Sequence, residues 1–99
     1  MTTKTLNMVL PTSLDIRSQL LKLLNDQNVH NLSEVKEALM KRFDVTADDK
    51  RKLMKNQRPI FDTRIIHSLS QLRKEGFITN QKKGMFRITK SGLNELRRL

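Results

Sequence analysis

Residues 61–76 read FDTRIIHSLSQLRKEG, and the rest of the chain is organised around this stretch. Phe61, Ile65, Leu69 and Leu72 recur every three or four residues, which predicts a helix with one buried apolar stripe. Gly76 marks its end. The polar side chains between them point away from the stripe, and they are Thr63, Arg64, His67, Ser68, Gln71 and Lys74. Side chains of these types bind phosphates and base edges, so the stretch is a candidate recognition helix.

A basic hairpin is predicted directly after this helix. Residues 77–80 and 85–89 read as two short strands joined by residues 81–84, where Gly84 supplies the positive φ of a tight turn. Phe86 and Ile88 alternate with Arg87, so one face of the hairpin packs inward and the arginine faces outward. The residues expected to contact phosphates or the minor groove are Lys82, Lys83 and Arg87. A helix that leads into such a hairpin is the core of a winged helix.

The upstream helices are predicted from their capping residues. Thr12 with Asp15, and Asn31 with Glu34, fit the capping box and start helices that end near residues 25–26 and at about Arg42. Thr46 and Asp49 repeat the pattern and predict a short extra helix over residues 47–54. A loop over residues 55–59 then carries Arg58, which is a further candidate DNA contact.

The remaining segments complete the predicted domain. Val29 and His30 are expected to form a short third strand of the sheet. Thr89 caps a last helix over residues 90–98, whose apolar stripe runs on to Leu99. Residues 1–11 are expected to form a flexible arm, and residues 12–99 the domain. The predicted fold class is mainly α with a small β-sheet, namely a winged helix-turn-helix with an extra short helix before the recognition helix.

The positive charge is concentrated in the same half of the chain. The 99 residues carry a net charge of +10, and from Lys50 onward 14 lysines and arginines face only three acidic residues. The first 49 residues hold six basic and seven acidic residues, so they are nearly neutral. This asymmetry indicates a polyanionic partner. The alternative interpretation is a solvated lysine-rich surface without a specific partner.

Composition also excludes several kinds of protein. The chain has no cysteine, so disulfides and thiolate metal sites are excluded. No apolar run is long enough to span a membrane and no signal-peptide core is present, so we expect a soluble cytoplasmic protein. We expect no cofactor, no bound metal and no small-molecule substrate.

One set of residues superficially resembles a nuclease site. Asp26, Glu34 and Lys36 match the acidic residues and E-x-K motif of a metal-dependent nuclease. That chemistry needs the glutamate and lysine on one face, whereas residues two apart on a helix diverge by about 200°. His30 and His67 are far apart in sequence, and the chain has no glycine-rich phosphate loop. We therefore expect no enzymatic activity.

The stretch PIFDTRIIHSLSQLRKEGFITNQKKGMFRITKSGLNEL, residues 59–96, resembles the amino-terminal winged-helix domain of Mrr-type restriction endonucleases. The resemblance extends over roughly residues 14–99. The matching positions are Pro59, Phe61, Arg64, Leu72, Gly76, Gly84, Arg87, Thr89, Gly92 and Leu96. Two positions depart from the family pattern. His67 stands where the family usually has an aromatic residue, often tryptophan, and Glu75 stands where it usually has a small residue. Since the nuclease domain of those enzymes is absent here, the resemblance implies DNA binding and does not imply cleavage.

The sequence therefore predicts a protein that binds double-stranded DNA. Residues 61–75 are expected to enter the major groove. Thr63, Arg64, His67, Ser68 and Gln71 are the candidate base readers, with Lys74 toward the backbone. Arg64 has a second interpretation, in which it braces a loop through a buried ion pair. The chain would be a stand-alone regulator or nucleoid protein, or the DNA-targeting part of an Mrr-like restriction system; its initial methionine and its end on a capped helix favour the former.

Two other functions remain open. Winged helices also serve as protein-interaction or dimerisation modules without direct DNA binding. Such a module does not require the net charge of +11 that residues 50–99 carry from 14 basic and three acidic residues. The stripe that ends at Leu99, together with Leu6, Met8 and Val9 in the arm, leaves homodimer formation open. RNA binding is disfavoured because exposed aromatic residues that could stack on bases are scarce.

Overall fold

Side-chain caps fix where the upstream helices begin. In the computed structural model, which describes residues 10–52, 54–55 and 57–99, the Thr12 hydroxyl accepts a hydrogen bond from the Asp15 amide at 3.2 Å. The Asp15 carboxylate accepts one from the Thr12 amide at 3.3 Å, which starts helix α1, Ser13–Leu23. A short 3-10 turn, Leu24–Asp26, follows it. The predicted start of this first helix is confirmed, and its predicted end near residues 25–26 is the end of the 3-10 turn, since α1 itself ends at Leu23.

The same capping box starts the second helix and a related cap starts the third. Asn31 and Glu34 exchange bonds of 2.9 and 3.3 Å at the start of α2, Leu32–Arg42. Thr46 and Asp49 exchange bonds of 3.0 and 2.9 Å at the start of α3, Ala47–Lys52. The predicted extra helix is confirmed, although it ends at Lys52 and not at residue 54.

Two short paired strands lie between α3 and the next helix, so the prediction of a loop over residues 55–59 was wrong. Strand β2, Met54–Lys55, pairs with strand β3, Arg58–Pro59, in antiparallel register. The chain reverses at Gln57, which has a φ of 63°. Pro59 is tolerated in this strand because a two-stranded ribbon leaves one edge of each strand unpaired.

Helix α4, Ile60–Lys74, is the predicted recognition helix and begins directly after Pro59. Gly76 follows its end with a φ of 81°, a conformation that side chains rarely adopt. Phe61, Ile65 and Leu72 have no exposed surface, and they pack with apolar residues of α1, which makes its most extensive helix contacts with α4. The predicted buried stripe of this helix is therefore confirmed.

The wing is a three-stranded antiparallel sheet in the order β1, β5, β4. Its strands are β1, His30–Asn31, β4, Ile78–Lys82, and β5, Met85–Ile88. His30 lies opposite Phe86, so the predicted third strand is present, shifted by one residue. The hairpin loop is shorter than predicted, because Gln81 and Lys82 belong to β4 and only two residues connect the strands.

Strand β4 contains one residue more than its partner. Thr79 lies opposite Arg87, whereas Lys82 lies opposite Met85, so the register shifts by one residue between the two pairs. A bulge of this kind moves the following side chains to the other face of the sheet.

The last helix, α5, Lys90–Arg98, begins at the Thr89 cap, as predicted. The Thr89 hydroxyl accepts a hydrogen bond from the Gly92 amide at 3.1 Å. Leu93 and Leu96 pack against the core, whereas Leu99 is exposed. The order of helices and strands confirms the predicted fold class, a winged-helix arrangement with extra structure before α4. Among the described residues, no helix is long and apolar enough to cross a membrane.

Candidate nucleic-acid interface

The exposed side of α4 lies between two grooves. The wing groove, of about 380 Å³, separates α4 from the wing and is lined by Leu32, Ile66, Leu69, Ser70, Arg73, Asn80, Lys83, Gly84 and Phe86. The hairpin groove, of about 340 Å³, lies at the amino-terminal end of α4 and is lined by Lys36, Arg58, Pro59, Asp62, Thr63 and Ile66. Ile66 lines both grooves, so they form one continuous surface along the helix.

Several cations on β3, α4 and the wing have no partner among the residues that the structure describes. Within the described part of the chain, no ion pair or hydrogen bond engages the side chains of Arg58, Arg73, Lys74, Lys82 and Lys83. All five are exposed. Such side chains are available to phosphates without first breaking a contact within the protein.

The acidic residues of the basic half are all neutralised by partners. Asp62 lies 2.8 Å from the Lys50 ammonium and 3.6 Å from that of Lys36. Its buried Oδ1 accepts no well-directed hydrogen bond, so the contact with Lys50 is an ion pair alone. Glu75 pairs with Arg17, and Glu95 lies 3.5 Å from Arg98. No unpaired carboxylate of this half therefore opposes the free cations.

Two of the predicted base readers are instead structural. Ser68 is 2% exposed, and its hydroxyl donates a hydrogen bond of 3.0 Å to the carbonyl of Ser13. Placing Ser68 on the solvent-facing side of the helix was wrong, because α1 covers this flank of α4. Arg64 donates to the carbonyls of Leu10 and Pro11 at 3.3 and 2.9 Å. It braces the chain before α1, as the second interpretation held, but through carbonyl groups and not through an ion pair.

His67 and Gln71 are exposed but lie on the α1 side of the helix. They line a third groove with Ser13, Leu14 and Arg17, apart from the wing and hairpin grooves. Thr63, in contrast, lies in the hairpin groove beside Arg58. The polar face read from the sequence is thus divided between two sides of α4.

The wing lysines are divided in the same way. Lys83 lines the wing groove and faces α4, whereas Lys82 lies with Arg87, Met85 and Val29 on the outer face of the sheet. Consecutive side chains of a strand point to opposite faces, and the bulge in β4 puts Lys82 on the same face as Thr79, three residues earlier. Arg87 is exposed as predicted, and its Nε donates a 2.8 Å hydrogen bond to the carbonyl of Gln27.

Sequence reasoning missed four residues of the wing groove, namely Ile66, Ser70 and Arg73 of α4 and Asn80 of β4. Ser70 and Arg73 follow Ile66 at helical spacing, so a helical wheel places them on one side of α4. The wheel does not show which side faces the wing, because that depends on where α1 and the sheet pack.

The residues that superficially resembled a nuclease site are engaged elsewhere. The Asp26 carboxylate lies 2.9 Å from Nε2 of His30, and the Glu34 carboxylate lies 3.3 Å from its Nδ1. Lys36 pairs with Asp62 and points to the hairpin groove. Among residues 10–52, 54–55 and 57–99, no group of three side chains is suited to bind a metal ion.

His30, with the carboxylates of Asp26 and Glu34, makes the junction between the 3-10 turn and the sheet sensitive to pH. The His30 side chain is 18% exposed. The hydrogen bond with Asp26 raises the pKa of His30 above 6.5, against the opposing effect of burial, and the bond with Glu34 adds to the increase. The same contact with His30, together with a bond from the Asn28 amide, lowers the pKa of Asp26.

We expect the protonated His30 to stabilise the folded chain. Because its folded-state pKa is raised, this contribution is fully present below pH 6.5 and is lost as the pH rises through the raised value. The replacement His30→Gln should remove this loss, so the difference in unfolding free energy between wild type and variant should be larger at about pH 5 than at about pH 8. Urea denaturation at both pH values measures it. His67→Gln, at an exposed histidine, is the control, and an equal difference at both pH values for His30→Gln would contradict the prediction.

The fold and these grooves define the class of the protein, a winged-helix domain with an inserted helix and hairpin before α4. A family model described as the Mrr N-terminal domain matches residues 15–98, and the chain belongs to that family. The resemblance of residues 59–96 to this domain is thereby confirmed. The matching domain is the amino-terminal one and not the catalytic nuclease domain. No curated protein and no solved structure matched the chain.

Proposed function

We propose that this protein binds double-stranded DNA through the exposed side of α4 and the wing. The observation that carries the proposal is a set of cations at both ends of this surface that have no partner in the described part of the chain. Arg58 borders the hairpin groove, and Arg73 and Lys83 border the wing groove. The acidic residues nearby are already paired, so the surface attracts a polyanion along the whole helix.

The dimensions of the surface fit a duplex. An α-helix fits the major groove of B-DNA, and the 15 residues of α4 span about 22 Å at 1.5 Å per residue. In this arrangement Thr63 and Ser70 face the base edges, and Arg58, Arg73, Lys74 and Lys83 contact phosphates on either side. His67 and Gln71 reach bases or phosphates only at the α1 edge of the groove. Lys82 and Arg87 contact the backbone or the minor groove from the outer face of the wing.

Family membership supports a role connected with restriction systems, with this domain delivering DNA recognition and no catalysis. A regulator or nucleoid protein built on the same domain would use the surface in the same way. Either role places the protein in the cytoplasm with chromosomal or foreign DNA as its partner. The exposed Leu14 and Leu99 line neither the wing groove nor the hairpin groove. A homodimer formed through these residues would keep both grooves open, and its two copies could bind two half-sites.

A charge-matched pair of variants tests the proposal. The first replaces Arg58, Arg73 and Lys83 with alanine. The second replaces Lys22, Lys41 and Arg97, which are exposed and lie outside both grooves. Both lose three positive charges. The first variant should bind all duplex sequences more weakly, with the dependence of log affinity on log salt shallower by about three units, since each phosphate contact contributes roughly 0.9.

The second variant should retain nearly the wild-type slope. Anisotropy titrations of a labelled random duplex at several salt concentrations measure both slopes, and circular dichroism establishes that both variants are folded. Equal losses in the two variants would mean that net charge alone governs binding, and the α4 surface would then not be the interface.

A further inference from the structure

We propose that Ile66 recognises the C5-methyl group of a pyrimidine in the major groove. This inference rests on the proposed DNA-binding function and specifies what the centre of the α4 surface detects. Ile66 is 49% exposed, at the middle of the helix, and it lines both the wing groove and the hairpin groove.

Ile66 differs from the other apolar residues of α4 in its packing. Phe61, Ile65, Leu69 and Leu72 are buried in the core, and Ile60 is partly buried against it. Ile66 does not belong to this core. About half of its surface therefore stays in contact with solvent, and covering it with an apolar group of a partner would be favourable.

The surroundings of Ile66 define the chemistry of that partner. One turn away on either side are the hydroxyl-bearing residues Thr63 and Ser70, and the grooves beyond are bordered by Arg58 on one side and by Arg73 and Lys83 on the other. A ligand that fits must combine negative charge at its edges with an apolar group at its centre. The major groove has this arrangement, because phosphates flank it and the C5-methyl group of thymine projects from its floor.

Two bases present this methyl group at the same place. Thymine carries it in ordinary DNA, and 5-methylcytosine carries it in modified DNA. The contact itself is identical for both, since β-branched Ile66 meets only the methyl carbon. The hydrogen-bonding groups beside the methyl differ, so neighbouring polar residues determine which of the two bases is preferred.

Replacing thymine with uracil removes only the methyl group, which makes it the sharpest test. Duplex pools of random sequence, synthesised with thymine or with uracil, compete for wild-type protein, and the bound fraction is sequenced. The wild type should favour thymine-containing duplex by about fourfold for each methyl contacted, the ratio expected for burying one methyl-sized group. Ile66→Ala should bind the two pools equally, and Ile66→Val should retain part of the preference.

The control variant is Val29→Ala, because Val29 is 45% exposed and lies on the outer face of the wing. It should keep the wild-type preference for thymine. A third pool, with 5-methylcytosine in place of cytosine, tests the second source of the methyl group. If wild type binds this pool more tightly than the unmethylated pool and Ile66→Ala does not, the contact is to 5-methylcytosine.

The outcomes separate this inference from the proposed function. Duplex binding with no effect of either methyl group, or an effect that persists in Ile66→Ala, would overturn the role of Ile66 and leave DNA binding intact. Absence of binding to any pool at low salt, in protein shown to be folded, would overturn both.

Discussion

Binding to a random-sequence duplex should weaken by a factor of about a thousand or more between 50 and 200 mM salt. This loss is expected for a protein that neutralises about six to ten phosphates, because each contact releases condensed counterions whose return becomes favourable as salt rises. The chain supplies enough cations for this number, because it has 14 lysines and arginines from Lys50 onward. Within the described part of the chain, five of them on β3, α4 and the wing are unpartnered. Equilibrium anisotropy with a labelled duplex measures the loss.

Two further probes make the measurement specific. Single-stranded DNA of the same length should bind with a shallower salt dependence, since each contact contributes roughly 0.7 and not 0.9 to the slope. A methylated duplex distinguishes a targeting domain, which would prefer modified bases, from a regulator or nucleoid protein without that preference. If folded protein failed to bind duplex at low salt, or bound with little response to salt, a protein-interaction module would be the better account.

The replacement Gly92→Ala should destabilise the fold by about 3 kcal/mol, the upper part of the range for inserting a methyl group into a packed site. Gly92 lies in the first turn of α5, and a Cβ atom there would overlap the carbonyl oxygen of Phe77 and lie 2.6 Å from Cγ1 of Ile88. The Phe77 carbonyl accepts a 2.9 Å hydrogen bond from the Thr89 amide, so it is not free to move away. Denaturation in urea measures the change.

The sign of this effect is diagnostic. In a helix without such a contact, alanine is more stable than glycine by about 1 kcal/mol, so an unobstructed site would gain stability. Ser91→Ala is the control, because Ser91 is the exposed neighbour of Gly92 in the same turn. It should change the unfolding free energy by less than about 0.5 kcal/mol. A Gly92→Ala protein as stable as wild type would show that α5 does not pack closely against residue 77.

The two effects address different parts of the molecule. The salt response reports the charge presented by α4 and the wing, whereas the Gly92 variant reports the packing of α5 against Phe77 and Ile88. A destabilised Gly92→Ala protein that still binds duplex at low temperature would show that binding does not require the close packing of α5 against Phe77.

The sequence by itself determined the helices and their starting points, because a helix start depends on residues three positions apart. Thr12 with Asp15, Asn31 with Glu34, and Thr89 each cap the helix that they predict. It also determined the buried stripe of α4 and the strands of the wing, since apolar periodicity is a local property. The resemblance of residues 59–96 was sufficient to predict the family.

Only the tertiary structure decided which side of α4 faces the wing. A helical wheel treats the two flanks of the polar face alike, and the docking of α1 covers one of them, so that Ser68 is buried and Arg64 binds carbonyls before α1. The bulge in β4 likewise places Lys82 on the same outer face of the wing as Thr79, three residues earlier. Contacts between residues more than 50 positions apart, and a one-residue shift between paired strands, leave no periodic signal in the sequence. For this reason Ile66, Ser70 and Arg73 became candidate DNA contacts only when the packing of α1 and the sheet was known.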